Sequence, residues 1–281
     1  MAIIFSLAQA QDGLWAAGPE GLFKGKGDGQ PIPQPQTELT CCAAIGERIV
    51  VGGSPYGVAF TFDQGKNWQA AWMDNVRARV LCLAPDPEVN ATGVILAGAE
   101  GAGVLRSTDR GRMWTPCNFG LQHYTILALG WAPPAPVQAW PQWQIVLAAT
   151  EDGLYRSPNG GLGWKRCTGA EGLFQTLAIA RDFHASGLVL AGTENEGLWR
   201  STDGGHHFEQ VDQAPEQINA LTALKDGWLL SDQDRLWHST DGIKWRRVPK
   251  SKPALVLLAT ERSIWAGGED GVKKISLSPS H

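Results

Sequence analysis

The sequence predicts an all-β fold: a seven-bladed β-propeller of four-stranded antiparallel blades, with residues 1–281 forming a single domain. Three observations predict it. A strand, an acidic turn and a second strand recur seven times, about every 40 residues. A further apolar stretch precedes each copy. A Ser/Thr-x-Asp-x-Gly phrase closing on an aromatic residue follows five of them. Four short strands per repeat of this length is the pattern of a propeller blade.

Each unit reads strand A, strand B, a turn, strand C, a second turn and strand D. Strand A is an apolar run, as in residues 39–45 (LTCCAAI) and 79–85 (RVLCLAP). Strand B ends in small residues, as in Val94-ILAGA and Leu188-VLAGT. Nearly continuous apolar runs suit strands covered on both faces by neighbouring blades. The Ala-Gly endings suit a crowded place near the axis, where a Cβ has little room. The B–C turn is acidic in successive units: Glu20, Glu100, Glu151, Asp152, Glu194, Glu196, Asp232, Asp234, Glu269 and Asp270. No segment shows helical periodicity.

The C–D turn carries the recurring phrase. It is fullest in Arg200-Ser-Thr-Asp203-Gly-Gly205-His-His-Phe208 and returns as Asp109, Gly111, Trp114 and as Asn159, Gly161, Trp164. Asp63, Gly65 and Trp68 keep its skeleton. Asp241, Gly242 and Trp245 keep it with one residue fewer before the Trp. Successive copies lie 38 to 50 residues apart. The side-chain oxygen of Asp or Asn can accept from N–H groups that a tight turn leaves unpaired. The Gly supplies a positive φ. The aromatic opens strand D and covers the turn, worth about 2–3 kcal/mol per copy when buried.

The first and last units depart from the rule. Unit one has Gly25-Lys-Gly-Asp28-Gly29 in place of a full phrase, and its Pro31-Ile-Pro-Gln-Pro is a poor fourth strand. In unit seven only Ser276 to His281 remains after strand C. A three-stranded last blade is expected, with the ring closed by blade-to-blade packing rather than strand exchange.

These phrases resemble the Asp-box, or BNR, repeat, and the resemblance spans essentially the whole chain. The Arg-Ser-Thr-Asp-Gly-Gly wording is similar to the photosystem II assembly-factor propellers and to uncharacterised bacterial relatives. Sortilin ectodomains, xyloglucan-cleaving glycosidases and sialidases share the repeat. The resemblance implies a propeller with these turns at the blade periphery, away from any active site. By the resemblance, sialidase catalysis would need an arginine triad for the substrate carboxylate and a Tyr–Glu nucleophile pair; no Arg-Ile-Pro phrase precedes the boxes, and Tyr56, Tyr124 and Tyr155 are not placed as the resemblance would require. The assembly factors imply binding of membrane-protein intermediates through a basic patch, whereas this chain carries a net charge of −4.

Composition narrows the function classes. A net charge of −4 argues against a general nucleic-acid surface. No stretch approaches 18 uninterrupted apolar residues, so no membrane insertion is expected. Cys41, Cys42, Cys82, Cys117 and Cys167 are an odd set without metal-ligand spacing, which leans to buried reduced thiols in the cytoplasm. Met1 to Ala10 lacks a basic n-region and reads as strand, not leader; a leader already removed would instead place the chain outside the cytoplasm.

Two features remain as binding candidates. Ring geometry puts all the acidic B–C turns on one face, as a collar at one mouth of the channel, suited to a cation, a basic peptide or a basic protein face. In unit four the A–B connection is a Trp/Pro insertion with Trp131, Trp140 and Trp143, a stiff apolar surface for a partner or a sugar ring. The leading expectation is a non-enzymatic, monomeric, protein- or peptide-binding scaffold, without cofactor, metal or catalytic residues. The alternative is a carbohydrate-active protein, lectin or glycoside hydrolase, with paired carboxylates at the channel mouth.

Overall fold

A computed structural model describes residues 2–27, 29–55, 57–136 and 144–277. Seven antiparallel sheets follow one another along the chain, each with its strands in sequence order. Blade 1 is β1 (Ser6–Ala10), β2 (Gly13–Gly18) and β3 (Gly21–Lys24). Blade 2 is β4 (Glu38–Ile45), β5 (Arg48–Ser54), β6 (Gly57–Thr61) and β7 (Gln69–Ala70). Blade 3 is β8 (Val80–Pro85), β9 (Ile95–Ala99), β10 (Gly103–Ser107) and β11 (Thr115–Pro116). Blade 4 is β12 (Ile126–Trp131), β13 (Val146–Thr150), β14 (Gly153–Ser157) and β15 (Lys165–Arg166). Blade 5 is β16 (Phe174–Ile179), β17 (Val189–Thr193), β18 (Leu198–Ser201) and β19 (Glu209–Gln210). Blade 6 is β20 (Ala220–Leu224), β21 (Gly227–Ser231), β22 (Leu236–Ser239) and β23 (Arg246–Arg247). Blade 7 is β24 (Val256–Ala259), β25 (Ile264–Gly268) and β26 (Gly271–Ile275). The first strands of successive blades contact one another around the axis, and β1 meets β24 to complete the ring.

The fold matches the expected seven blades and the three-stranded last blade. Blade 1 is also three-stranded; its poor fourth strand is reduced to one bridge between Leu22 and Ile32. Fourth strands are two residues long wherever they form, because the outer rim offers them a neighbour on one side only. The ring closes without strand exchange: the Ile4 N–H donates to Gly268 O at 3.1 Å, and the Val272 N–H to Lys26 O at 3.1 Å. Two one-turn helices, α1 (Val89–Thr92) and α2 (Phe183–Ser186), correct the expectation of no helix. They sit in the A–B connections of blades 3 and 5, each stopped by a left-handed glycine, Gly93 or Gly187. Four residues are too few to show a 3.6-residue period.

The hydrophobic core is divided among the gaps between blades. Buried side chains fall into seven clusters among the described residues, each drawn from two adjacent blades. Strand alternation does this: in β9, Ile95, Ala97 and Ala99 face blade 2, while Leu96 faces blade 4. The strand-B glycines belong to this packing. A Cβ on Gly98 would lie 2.8 Å from Ile126 of the next blade and 2.5 Å from Cys82 Sγ. Gly52 faces Val80, Gly192 faces Ile218 and Gly267 faces Ile4 in the same way. The crowding expected near the axis is thus crowding against the following blade.

Candidate functional site

The C–D turns share one geometry. The Ser or Thr hydroxyl ending strand C donates to the Asp or Asn Oδ1, at 2.7 Å for Asp63, 2.8 Å for Asp109, Asn159 and Asp203, and 3.0 Å for Asp241. The same hydroxyl accepts the N–H of Gly65, Gly111, Gly161, Gly205 or Gly242. These glycines have φ between 73° and 89°. The Asp Oδ1 then accepts N–H groups further round the turn, such as those of Arg112 and Met113 or His206 and His207.

Those bonds set the acidity. The Asn67 N–H, then the Asn67 amide and the Thr61 hydroxyl, hold Asp63 down to about 2. Burial pushes Asp109 and Asp203 up, but the turn's N–H and hydroxyl donors outweigh it and leave both below the ordinary range. The N–H groups of Lys244 and Ile243 lower Asp241 likewise. Trp114 and Phe208 are fully buried and Trp164 nearly so; Trp68 and Trp245 are half-buried. The Trp114 indole donates back to Gly111 O at 3.0 Å and the Trp68 indole to Gly65 O at 3.2 Å.

Three of these turns, those of Asp109, Asn159 and Asp203, are also fastened to the preceding blade by an arginine. The carbonyl just after the Asp or Asn is the anchor: Arg106 Nε of blade 3 donates to Gly160 O of blade 4 at 3.1 Å. Arg156 Nε of blade 4 donates to Gly204 O of blade 5 at 2.8 Å. In blade 2, Arg48 reaches the Arg110 carbonyl of blade 3. The rim adds main-chain joints, since Trp72 N–H donates to Arg112 O and Trp114 N–H to Trp72 O, both at 2.8 Å. Thr168 and His207 form the equivalent joint between blades 4 and 5. Sequence reasoning assigned the arginines no such role; the recurrence of Arg106, Arg156 and Arg200 one residue before Ser107, Ser157 and Ser201 was the available signal, and Arg48 had none.

The acidic B–C turns lie on the opposite face, between second and third strands, and so about one strand spacing outside the channel-lining first strands. Several of their carboxylates are already engaged. Asp152 pairs with His123 at 2.8 Å and Arg166 at 2.9 Å. Asp270 is held down to about 2 by Lys252 and Lys273, at 2.6 and 2.9 Å. Asp232 accepts from the N–H groups of Asp234 and Arg235 and from the Trp237 indole. Glu20 accepts the Ile3 N–H. Glu100, Glu151, Glu194, Glu196, Asp234 and Glu269 are exposed on this face. Among the described residues no three His, Cys, Asp or Glu side chains converge as a metal set would.

Trp131 ends β12 half-buried, its indole donating to Ala84 O of blade 3 at 2.9 Å. Trp140 and Trp143 lie outside the described residues. The cysteines are free thiols; burial pushes Cys42, Cys82 and Cys167 up to about 12, well away from reactivity at neutral pH. No described helix is long and apolar enough to cross a membrane.

A surface that sequence reasoning missed runs along the rim of blades 2 to 4. Trp72 is 60% exposed and pairs across the joint with Met113, 56% exposed. At the next joint Phe119 is 84% exposed and Leu162 51%. Phe62 lies beside the first pair, with the Arg48 and Arg112 guanidiniums 4.1 and 5.6 Å from its ring centre. The signal was apolar residues, Leu162 and Met113, at turn positions where blade 2 has Lys66 and Asn67.

Comparison with known proteins supports the architecture. No protein-family model and no curated protein sequence matches the chain. Among solved structures, the BT4673 extracellular domain from B. thetaiotaomicron superposes with a TM-score of 0.73 at 15% identity, over 97% of this chain and 38% of that one. YCF48 from Cyanidioschyzon merolae gives 0.67 at 14%, over 96% and 94%. YCF48 bound to D1 peptide gives 0.69 at 13%, over 96% and 92%. The GH74 enzyme of Niastella koreensis gives 0.68 at 16%, over all of this chain and 44% of that one. All are β-propellers. At these identities the likeness is one of fold.

Proposed function

We propose that this chain is a non-enzymatic scaffold of the Asp-box propeller type, binding a protein or peptide partner through the rim of blades 2 to 4. The exposure of Trp72 with its bridge partner Met113, and of Phe119 and Leu162 at the next joint, carries the reading. Contiguous apolar side chains on a monomer's surface mark interaction sites. Aromatic, Met and Arg side chains are those enriched at protein interfaces, and Arg112 stands beside this surface. That a YCF48 structure of the same fold holds a peptide supports the class of ligand.

Affinity capture from native lysate tests it, with three baits: wild type, Trp72→Ser/Phe119→Ser and Trp140→Ala/Trp143→Ala. A partner lost only from the rim variant, with an unchanged melting curve, is the expected result. A partner held equally by the rim variant sinks the reading. The rings of Trp72 and Phe119 could also stack on sugars, so a glycan array that lights up with wild type would move the assignment to the carbohydrate class.

A further inference from the structure

The arginine fastening fails at the gap between blades 5 and 6, although the arginine is present, and the cause is visible in the sequence. Arg200 of blade 5 occupies the position of Arg106 and Arg156. Their Nε groups donate to Gly160 O and Gly204 O, the carbonyl one residue after Asn159 or Asp203. In blade 6 that residue is missing. Gly242 follows Asp241 directly, and its N–H, three residues from Ser239 instead of four, already makes the hydroxyl bond. Arg200 Nε is consequently buried with no partner among the described residues. The indole N–H of Trp245, which packs against the core cluster of the same gap, is a second buried donor without an acceptor among the described residues. An unpaired buried donor has lost its water without gaining an acceptor, so whatever supplies that acceptor recovers the loss.

A cavity of about 390 Å³ opens there, lined among others by Arg200, Glu209, Gln210, Gln213, Ile243 and Lys244. A cavity alone does not distinguish this gap. Blades 4 and 5 enclose one of about 580 Å³ beside Arg156, but there Arg156 Nε is bonded to Gly204 O. The blade 5–6 gap differs by lacking main chain. It lacks the anchoring carbonyl, and among the described residues it shows no bridge like Trp72 to Met113 or Thr168 to His207.

We propose that the cleft between blades 5 and 6 is a binding site for an extended peptide, whose main-chain carbonyl takes the place of the missing one on Arg200 Nε. Main chain is what fills this position in the three preceding gaps. Gln213, with donors and an acceptor on one amide, suits the alternating N–H and C=O of an extended segment; the Gln210 amide beside it already donates to Glu196 O at 2.7 Å and keeps its oxygen as an acceptor. The site lies on blades 5 and 6 and stands on a different observation from the rim surface of blades 2 to 4.

A phage-displayed library of linear peptides, selected on wild type, provides the probe. Binding of the selected peptides is then measured by fluorescence anisotropy on three further proteins. One has a glycine inserted between Asp241 and Gly242, which restores the turn's length; the others are Arg200→Ala and Trp72→Ser/Phe119→Ser. Expected are affinities at least tenfold weaker on the first two and unchanged on the third. The inserted chain should also melt above wild type, since Arg200 regains its acceptor. Peptides that bind the insertion and Arg200→Ala proteins as well as wild type overturn the proposal, as does a selection that enriches none. If the inserted chain does not fold, the Arg200→Ala comparison decides. Peptides lost only from the rim variant would support the rim reading and overturn this one.

Discussion

The two faces of the ring carry turns that look alike in sequence, both rich in Asp, Gly and Ser or Thr, yet they use their polar groups oppositely. In a C–D turn the carboxylate is enclosed by donors of its own loop, as Asp109 is by Ser107, Arg112 and Met113. In most B–C turns the carboxylate faces solvent, as Glu100 does, or a long cation, as Asp270 meets Lys252; Asp232, held by the N–H groups of Asp234 and Arg235, is the exception. Recurrence of an acidic residue therefore says little about function until its donors are identified. The first kind is part of the backbone's own hydrogen bonding; the second is a solvated surface.

Trp114→Ala should show the largest effect of this contrast. It removes a fully buried indole that spans the blade 2–3 cluster, and about 3–5 kcal/mol of unfolding free energy should go with it. Glu100→Gln on the opposite face should stay within about 0.5 kcal/mol. Urea denaturation measures both. Equal losses would mean that the B–C turns are structural as well.

Asp109→Ala comes next. It leaves the N–H groups of Arg112 and Met113 without their acceptor, at about 1–3 kcal/mol. Asp109→Asn should cost clearly less, because Asn159 does the same work in blade 4 with an amide oxygen. If the two variants are equally unstable, charge rather than acceptor geometry holds these turns.

The smallest effect is the pH dependence. The native acidities of Asp63, Asp109, Asp203 and Asp241 lie below their unfolded values near ~4. Their contribution is complete above that value and fades as pH falls through the native ones, about 2 for Asp63. Melting temperature should therefore drop between about pH 4 and 2, and less steeply in Asp109→Asn. Parallel curves for wild type and variant would show that Asp109 has no share in the acid transition.

Blade count, strand order and the C–D turn chemistry were legible because each repeats: seven weak patterns in register make one strong one. The short helices were not, since each is a single turn closed by Gly93 or Gly187 after no visible period. The surfaces were hardest to read. Sequence reasoning weighed the acidic turns by their number, whereas the ion pairs of Asp152 and Asp270 depend on loops distant in the chain. It passed over Trp72 and Phe119, single apolar residues beyond strand D, because only the handover between blades sets Trp72 beside Met113 and joins Phe119 to the turn of the next blade, at Trp164. The shortened turn at Asp241–Gly242 was visible as a missing residue, but its consequence for Arg200 lies one blade away.

The seat of each strand-B glycine bears on how such a chain can change over generations. Gly98 is written in one repeat and the side chain it accommodates, Ile126, in the next. A copying event that duplicates or exchanges a whole repeat carries the glycine but leaves its occupant behind, or the reverse. The heritable module is therefore the seam, made of the back half of one repeat and the front half of its successor. Recombination that respects the seam would pass unnoticed by the fold, whereas recombination at the blade boundary would place two strangers in contact at both of its edges.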